Sequence, residues 1–226
     1  MRETEIPGAL EIAVGGECMW LLPEFAAYWP RTKTLLIADA HLGKAAAFRK
    51  AGIAVPAGTT EENLEGFSAL IRSTGAARIV FLGDLMHNTA ARNAAGAAFI
   101  RWRARHADVE MILVRGNHDR HAGDPPCEWG VTCVDEPHRI DGIALAHFPQ
   151  AVPGSYAIAG HMHPCAHLAG RGRESLRLPC FYVTPRFAIL PAFGAFTGTA
   201  DVAPTPEDRV YVIAEGRVLA VGDALS

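Results

Sequence analysis

His161 and His163 stand one residue apart at the end of the segment IAGHMHPCAH, residues 158–167. In extended chain, side chains two apart project to the same side. The spacing therefore predicts two imidazoles aimed at one point, an arrangement suited to holding metal or handling phosphate. In a chain with ten histidines the pair alone is weak evidence, but the same chemistry recurs where other short apolar runs end. TLLIADAH breaks at Asp39 with His41 beyond it, RIVFLGDLMH at Gly83-Asp84, MILVRGNHDR at Asn117-His118, and GIALAHFP at His147. Each of these residues is Asp, Asn or His. None is Lys, Ser or Cys, which argues against an enzyme with a side-chain nucleophile.

Mixed imidazole and carboxylate ligands suit Mn, Fe or Zn better than Ca or Mg. One ion has no use for so many donors, whereas two ions sharing a carboxylate do. Two divalent ions bring four positive charges, and Asp39 and Asp84 cancel two. The remainder suits a hydroxide and an anionic phosphate ester.

The elements that must position these residues are legible as well. The apolar runs are short and rich in Ile, Val and Leu, the signature of buried strands. Helical patterns separate the first three. In GTTEENLEGFSALIRSTG, Thr59 with Glu62 predicts a capping box. Leu64, Phe67, Leu70 and Ile71 recur at helical spacing, and Gly75 is the expected stop. NTAARNAAGAAFIRWRARHAD offers Asn88 or Thr89 as cap and turns Phe99 and Trp102 inward. Strands alternating with helices imply βαβ units, whose ligands bind beyond the carboxyl ends of the strands. Later the pattern changes to hairpins, at Asp141-Gly142 and at Glu215-Gly216. Two sheets packed face to face, with helices outside, satisfy both halves.

The bulk properties set bounds. A chain of 226 residues, half of them hydrophobic, is expected to form one α/β domain over residues 1–226 with a substantial core. The net charge of −3 does not indicate a strongly basic nucleic-acid clamp. Five scattered cysteines without a CxxC fit a reducing compartment. The opening MRETEIPGALEI has no apolar signal core, and no uncharged apolar run reaches membrane-spanning length. The expected location is cytoplasmic, with no membrane partner.

In order along the chain stand D-x-H (Asp39, His41), G-D (Gly83, Asp84), G-N-H-D (Gly116 to Asp119), a lone His147 and G-H-x-H (Gly160 to His163). Any one block recurs by chance, but five in order, each at a strand end, resemble the calcineurin-like metallophosphoesterase superfamily. The resemblance implies a four-layer α-β-β-α sandwich of two packed mixed sheets with flanking helices. It implies two divalent transition-metal ions, Mn first, with Fe or Zn as alternatives. Asp39, His41 and His163 would ligate the first ion, Asn117, His147 and His161 the second, and Asp84 would bridge them. His118 would be the catalytic acid that protonates the leaving group, and a bridging hydroxide the nucleophile. The segments ADAHLGKAAAFRKAGIAVPAGTTEENL and LPAFGAFTG are similar to a bacterial subgroup, the DNA-ligase-associated metallophosphoesterases. That likeness implies a role in DNA repair, with an ATP-dependent DNA ligase and a DEXH helicase as partners.

Two positions depart from the superfamily pattern. Ala146 precedes His147 where Gly is usual. His87 and Asn88 stand where many members have an Asp that orients the catalytic His and an Arg that holds phosphate. The expected function is a two-metal phosphodiesterase or nuclease acting on nucleic-acid or nucleotide diesters. The alternatives are a nucleotide pyrophosphatase or phosphomonoesterase, and a non-catalytic scaffold of the same fold. The ligand set is complete, which disfavours the scaffold. Lys44 and Arg49 are candidate phosphate contacts, equally readable as the solvated face of a helix; Arg186 is a weaker candidate. His87, His106, His121, His138 and His167 are expected to be surface or hydrogen-bonded residues, Cys127 and Cys133 inert thiols, and the Arg-rich RGRESLRLPC a solvated loop.

Overall fold

The structure, a computed structural model, describes residues 6–50, 52–55, 58–169, 175–195 and 197–221. Residues 1–5, the Arg-rich 171–174 and parts of the two subgroup-like segments lie outside the described residues. The elements are β1 (Leu10–Val14), β2 (Glu17–Leu22), β3 (Ala26–Trp29), β4 (Thr34–Ile37), α1 (Lys44–Lys50), α2 (Thr59–Thr74), β5 (Arg78–Leu82), α3 (Thr89–Arg105), β6 (Glu110–Val114), α4 (Asn117–Ala122), β7 (Thr132–Val134), β8 (His138–Ile140), β9 (Ile143–Leu145), β10 (Tyr156–Ala159), β11 (Pro164–Ala169), β12 (Ser175–Val183), β13 (Phe187–Ile189), β14 (Ala200–Asp201), β15 (Arg209–Ala214) and β16 (Arg217–Val221).

β1 to β7 form one sheet in sequence order. Its first four strands meander antiparallel, and β4 to β7 run parallel through helical crossovers. The second sheet runs β14-β11-β12-β13-β10-β9-β8, with β15 and β16 joined at β12. At its centre β9, β10 and β13 are parallel. This is an α/β fold of two mixed sheets flanked by helices, the sandwich the sequence leads one to expect.

Alternation along the parallel strands builds two cores at once. Leu35, Ile37, Ile79, Phe81, Met111 and Leu113 face the helices, against Leu64, Phe67, Leu70, Phe99 and Trp102. Their neighbours Leu36, Val80, Leu82, Ile112 and Val114 face the second sheet, against Ile143, Leu145, Ile158, Phe181 and Ile213. A strand covered on both faces needs an unbroken apolar run, which is why these segments read as continuous. The helices α2 and α3 cover the first sheet, and a smaller cluster of Ala166, Cys180, Val210 and Val212 lies apart in the second.

Both hairpins occur where expected. Ile140 pairs with Ile143 across Asp141-Gly142, and Ala214 with Arg217 across Glu215-Gly216. All four turn residues have positive φ, as two-residue turns that match strand twist require. Asn88 caps α3, its Oδ1 accepting from the Ala91 amide at 2.8 Å. Gly75 ends α2 in the left-handed region, its N–H bonded to the Ile71 carbonyl. The capping box is not formed. Gly58, at φ 93°, is the cap, and Thr59 is already the first helical residue, with no side-chain cap bond. No helix among the described residues is long and apolar enough to cross a membrane.

Phe67 is fully buried and packs on Phe81, Trp102 and Phe193. Phe67→Ala is expected to lower the unfolding free energy by about 3–5 kcal/mol, read from the midpoint shift in denaturant.

Candidate metal centre

Asp39, Asp84, His147 and His161 each stand two residues beyond the last residue of their strand, β4, β5, β9 and β10 respectively. His41 and His163 follow two residues after that, and Asn117 opens α4 just past β6. The strands end at one edge of the sandwich, so both sheets deliver their polar residues to a single place. Gly194 and Phe193, just after β13, donate to the carbonyls of Asp39 and Ala38 and tie the sheets together there.

The local backbone is unusual. Asp39, His41, Asp84, His161 and His163 all have φ between 44° and 70°, a region that costs a non-glycine residue energy and gathers at functional sites. His161 and His163 are therefore not in extended chain. Their imidazoles do serve one site, but through left-handed turns and not through strand alternation, so that premise of the sequence reading is corrected.

Two groups of donor atoms result. In the first, His163 Nε2 lies 3.6 Å from Asp39 Oδ1, and His41 Nε2 lies 3.9 Å from Asp84 Oδ2. In the second, His147 Nε2 lies 2.9 Å from Asn117 Oδ1 and 3.0 Å from His161 Nδ1. Asp84 joins them, with Oδ2 toward His41 and Oδ1 3.6 Å from His147 Nε2. Separations of 3.6–3.9 Å are too long for hydrogen bonds and suit atoms that share an ion at about 2.0–2.2 Å each. Asp39, His41 and His163, and likewise Asp39, Asp84 and His147, converge closely enough to hold a metal. Asp39 Oδ1 is buried and finds no hydrogen-bond partner among the described residues. A metal would satisfy it.

The protonation states fit. Burial first, then the charge of Lys44, drives the pKa of His41 down to about 2, keeping the imidazole neutral as a ligand must be. Burial lowers His161 in the same way. Burial also lowers His163, but the nearby Asp39 carboxylate and the bond to the Gly198 carbonyl outweigh this and leave it raised. Three rings are oriented by backbone carbonyls. His147 Nδ1 donates to Leu82, His163 Nδ1 to Gly198 and His118 Nδ1 to His87, at 3.1, 2.8 and 2.9 Å. In each case Nε2 is left facing the carboxylates, the geometry a metal-bound imidazole requires of His147 and His163. Gly83 is needed for this: a Cβ there would lie 2.1 Å from His147 Nδ1.

Three residues with no role assigned from sequence prove structural to the site. Asp119 is fully buried and accepts from the amides of Asp84, Met86 and Gly116 at 2.6, 3.2 and 3.0 Å, pinning two of the ligand loops together. Burial raises its pKa to about 6 against the pull of those amides. Glu136 Oε2 accepts from the amides of His147 and Phe148. His87, expected at the surface or in an ordinary hydrogen bond, lies in the site. Its ring stacks on His118 at 5.0 Å and meets His41 edge-on at 5.7 Å. The carbonyl of His87 thus stands in for the carboxylate that the departure at this position removes.

The other candidates separate. Lys44 is half-buried beside Asp84 and Asp39, and burial lowers its pKa. Arg49 is exposed on α1, and Arg186 is exposed between β12 and β13. His106 bonds Ser68, His121 bonds the Asn117 carbonyl, and His167 pairs with Asp201. Burial pushes the Cys133 thiol up to about 11, which disfavours the thiolate.

Residues 32–151 match the family Calcineurin-like phosphoesterase. The chain belongs to that family. It is a metal-dependent hydrolase of phosphate esters. A crystal structure of Pseudomonas putida nuclease MPE is similar over 94% of this chain and all of that one, at 39% identity and a TM-score of 0.82. Yfce, a phosphoesterase from E. coli, matches at 16% identity and a TM-score of 0.39 over 85% of this chain and 99% of that one, a likeness too slight to bear on the site. A search of curated proteins finds no match.

Asp119→Asn replaces one acceptor oxygen by a donor that faces amides. It should weaken divalent-metal affinity about 10- to 100-fold, measured by titration calorimetry. Unchanged affinity would mean that the pin does not support the ligands.

Proposed function

We propose that the protein is a two-metal phosphodiesterase that cuts nucleic acid, preferring single strands and ends. The observation that carries the reading is the pair of donor groups sharing Asp84, one oxygen toward each. Asp39, His41 and His163 would hold one ion and Asn117, His147 and His161 the other, Mn²⁺ before Fe or Zn. Two such ions supply Lewis acidity and a water made nucleophilic at neutral pH. The rest falls to this chain. His118, partly exposed with its Nε2 turned into the site, holds a proton and delivers it to the leaving oxygen. Lys44 faces the incoming phosphate, and Arg49 adds charge at the rim.

A diester of nucleic acid is favoured by the 39% likeness to a nuclease over nearly the whole chain. The resemblance to the DNA-ligase-associated subgroup extends this to DNA repair, beside a ligase and a helicase that would supply the grip on duplex. None of the five cysteines is in a disulfide, in keeping with a cytoplasmic setting.

Elemental analysis should find two transition-metal ions per chain. Chelation should abolish hydrolysis of bis-p-nitrophenyl phosphate and Mn²⁺ restore it; full activity with one ion would sink the two-metal reading. A panel of diester, monoester, pyrophosphate and DNA separates the diesterase from a monoesterase or pyrophosphatase.

His118→Asn should keep its metal and lose about 10²- to 10⁴-fold in turnover. The deficit should shrink for acidic leaving groups, which need no proton. An equal loss for all leaving groups would remove His118 from that role.

With a net charge of −3, affinity for intact duplex should be weak. Its logarithm should fall with the logarithm of salt with a slope on the order of −1 to −3, read by fluorescence anisotropy. A steep slope would mean a basic surface assembled from distant residues.

A further inference from the structure

The segment LPAFGAFTG contributes no donor to the metal centre. Its residues Pro191 to Ala195 and Thr197 instead form one wall of a cleft of about 390 Å³, within the ~300–1,000 Å³ of small-molecule sites. Phe25, Asn63, Pro164, Pro179 and Thr199 line it as well. His163 lines the cleft too, so the cavity opens beside the same imidazole that faces Asp39.

The wall is bonded to the ligand loops. Asn63 Nδ2 donates to the Ala40 carbonyl at 3.1 Å, Phe193 N to Ala38 at 2.9 Å and Gly194 N to Asp39 at 3.1 Å. His163 Nδ1 donates to Gly198, between Thr197 and Thr199. The approach is so close that a Cβ on Gly194 would lie 2.5 Å from the Ala40 oxygen, which accounts for the glycine in the motif. Cleft and metal centre are therefore held in fixed relation.

Among the described residues the lining has no Asp, Glu, Lys or Arg. It cannot bind phosphate by charge, and it suits a neutral group. Proline and phenylalanine offer flat faces for stacking, while Asn63, Thr197 and Thr199 offer hydrogen-bonding groups. The occupant must also carry a phosphate ester at the end next to His163. A nucleoside meets all of these conditions, and a long acyl chain has no use for the polar groups.

We infer that this cleft is the subsite for one nucleobase of the substrate strand, next to the scissile phosphate. The inference rests on the nucleic-acid reading above. It makes the subgroup-like motif a substrate-binding element.

The test compares three esters that release the same p-nitrophenol. These are the thymidine 5′-p-nitrophenyl, methyl p-nitrophenyl and octyl p-nitrophenyl phosphates, each with the Mn²⁺-loaded enzyme. Base stacking in such sites is worth roughly 10- to 100-fold, so kcat/KM for the thymidine ester should exceed that for the methyl ester by about that factor, chiefly through KM. Ala195→Trp and Thr199→Trp, both at exposed positions of the cleft, should remove most of the preference. Metal content and unfolding midpoint are measured on the same preparations. A thymidine-to-methyl ratio near one, with single-stranded DNA still cleaved, overturns the subsite and leaves the nuclease reading standing. So does a ratio that both fillings leave intact, or an octyl ester that does as well as thymidine. Preference for thymidine lost on filling, without cleavage of DNA, supports the subsite and rejects the polymer as substrate.

Discussion

Two carboxylates taken out of water, Asp39 and Asp84, are the constraint on which the rest of the site depends. They are 0% and 3% exposed, and an ionised carboxylate is tolerated in such a place only against compensating charge and hydrogen bonds. Part of the compensation comes from the backbone. Asp39 Oδ2 accepts from the His161 amide at 2.7 Å, and Asp84 Oδ1 from that of His118 at 2.9 Å. What is left points at the Nε2 atoms of His41, His147 and His163; the last two give Nδ1 to backbone carbonyls, a geometry that turns an imidazole's other nitrogen toward a metal. The arrangement is incomplete without cations, and that is the physical content of calling it a metal centre.

The same demand explains the strained turns. A residue in the left-handed region costs of order 1–3 kcal/mol and persists only when its surroundings over-determine it. Here five ligand candidates adopt it, held by bonds from one ligand loop to the next. The His41 amide bonds the Asp84 carbonyl, the Asp39 amide that of Gly83, and Asp119 gathers three amides more. The core between the sheets supplies the stability that this consumes, and its rigidity keeps the two halves of the site in register.

Much of this was legible in the sequence because burial leaves a strong mark. Strands covered on both faces must be apolar throughout, so an Asp or His at the end of such a run is conspicuous. Asp39, Asp84, His147 and His161 were found that way. The hairpins were legible because two-residue turns need particular residues. What escaped notice depends on partners far along the chain. Thr59 and Glu62 had the spacing of a capping box, yet Gly58 could enter a conformation that made the box unnecessary. Asp119 and Glu136 act by accepting amide bonds from other loops, which no local pattern records. His87 reads as a surface or hydrogen-bonded residue because nothing in its neighbours says that its ring lies on His118. The one available signal was its place in the position where relatives carry an orienting Asp.

The spacing of four ligand candidates, two residues past their strands, governs how such a chain can vary. Between a buried strand and its ligand there is no slack. One residue added or lost there would carry the carboxylate or imidazole by about 3.3 Å and turn it toward the core. The crossovers carry no such restriction, since the connection between α1 and α2, on the way from β4 to β5, can lengthen without moving either strand. The chain therefore has rigid and elastic stretches laid alternately along it. Insertions that separate one relative from another should fall in the elastic stretches, while the strand-to-ligand distances stay fixed even where the intervening sequence has changed beyond recognition.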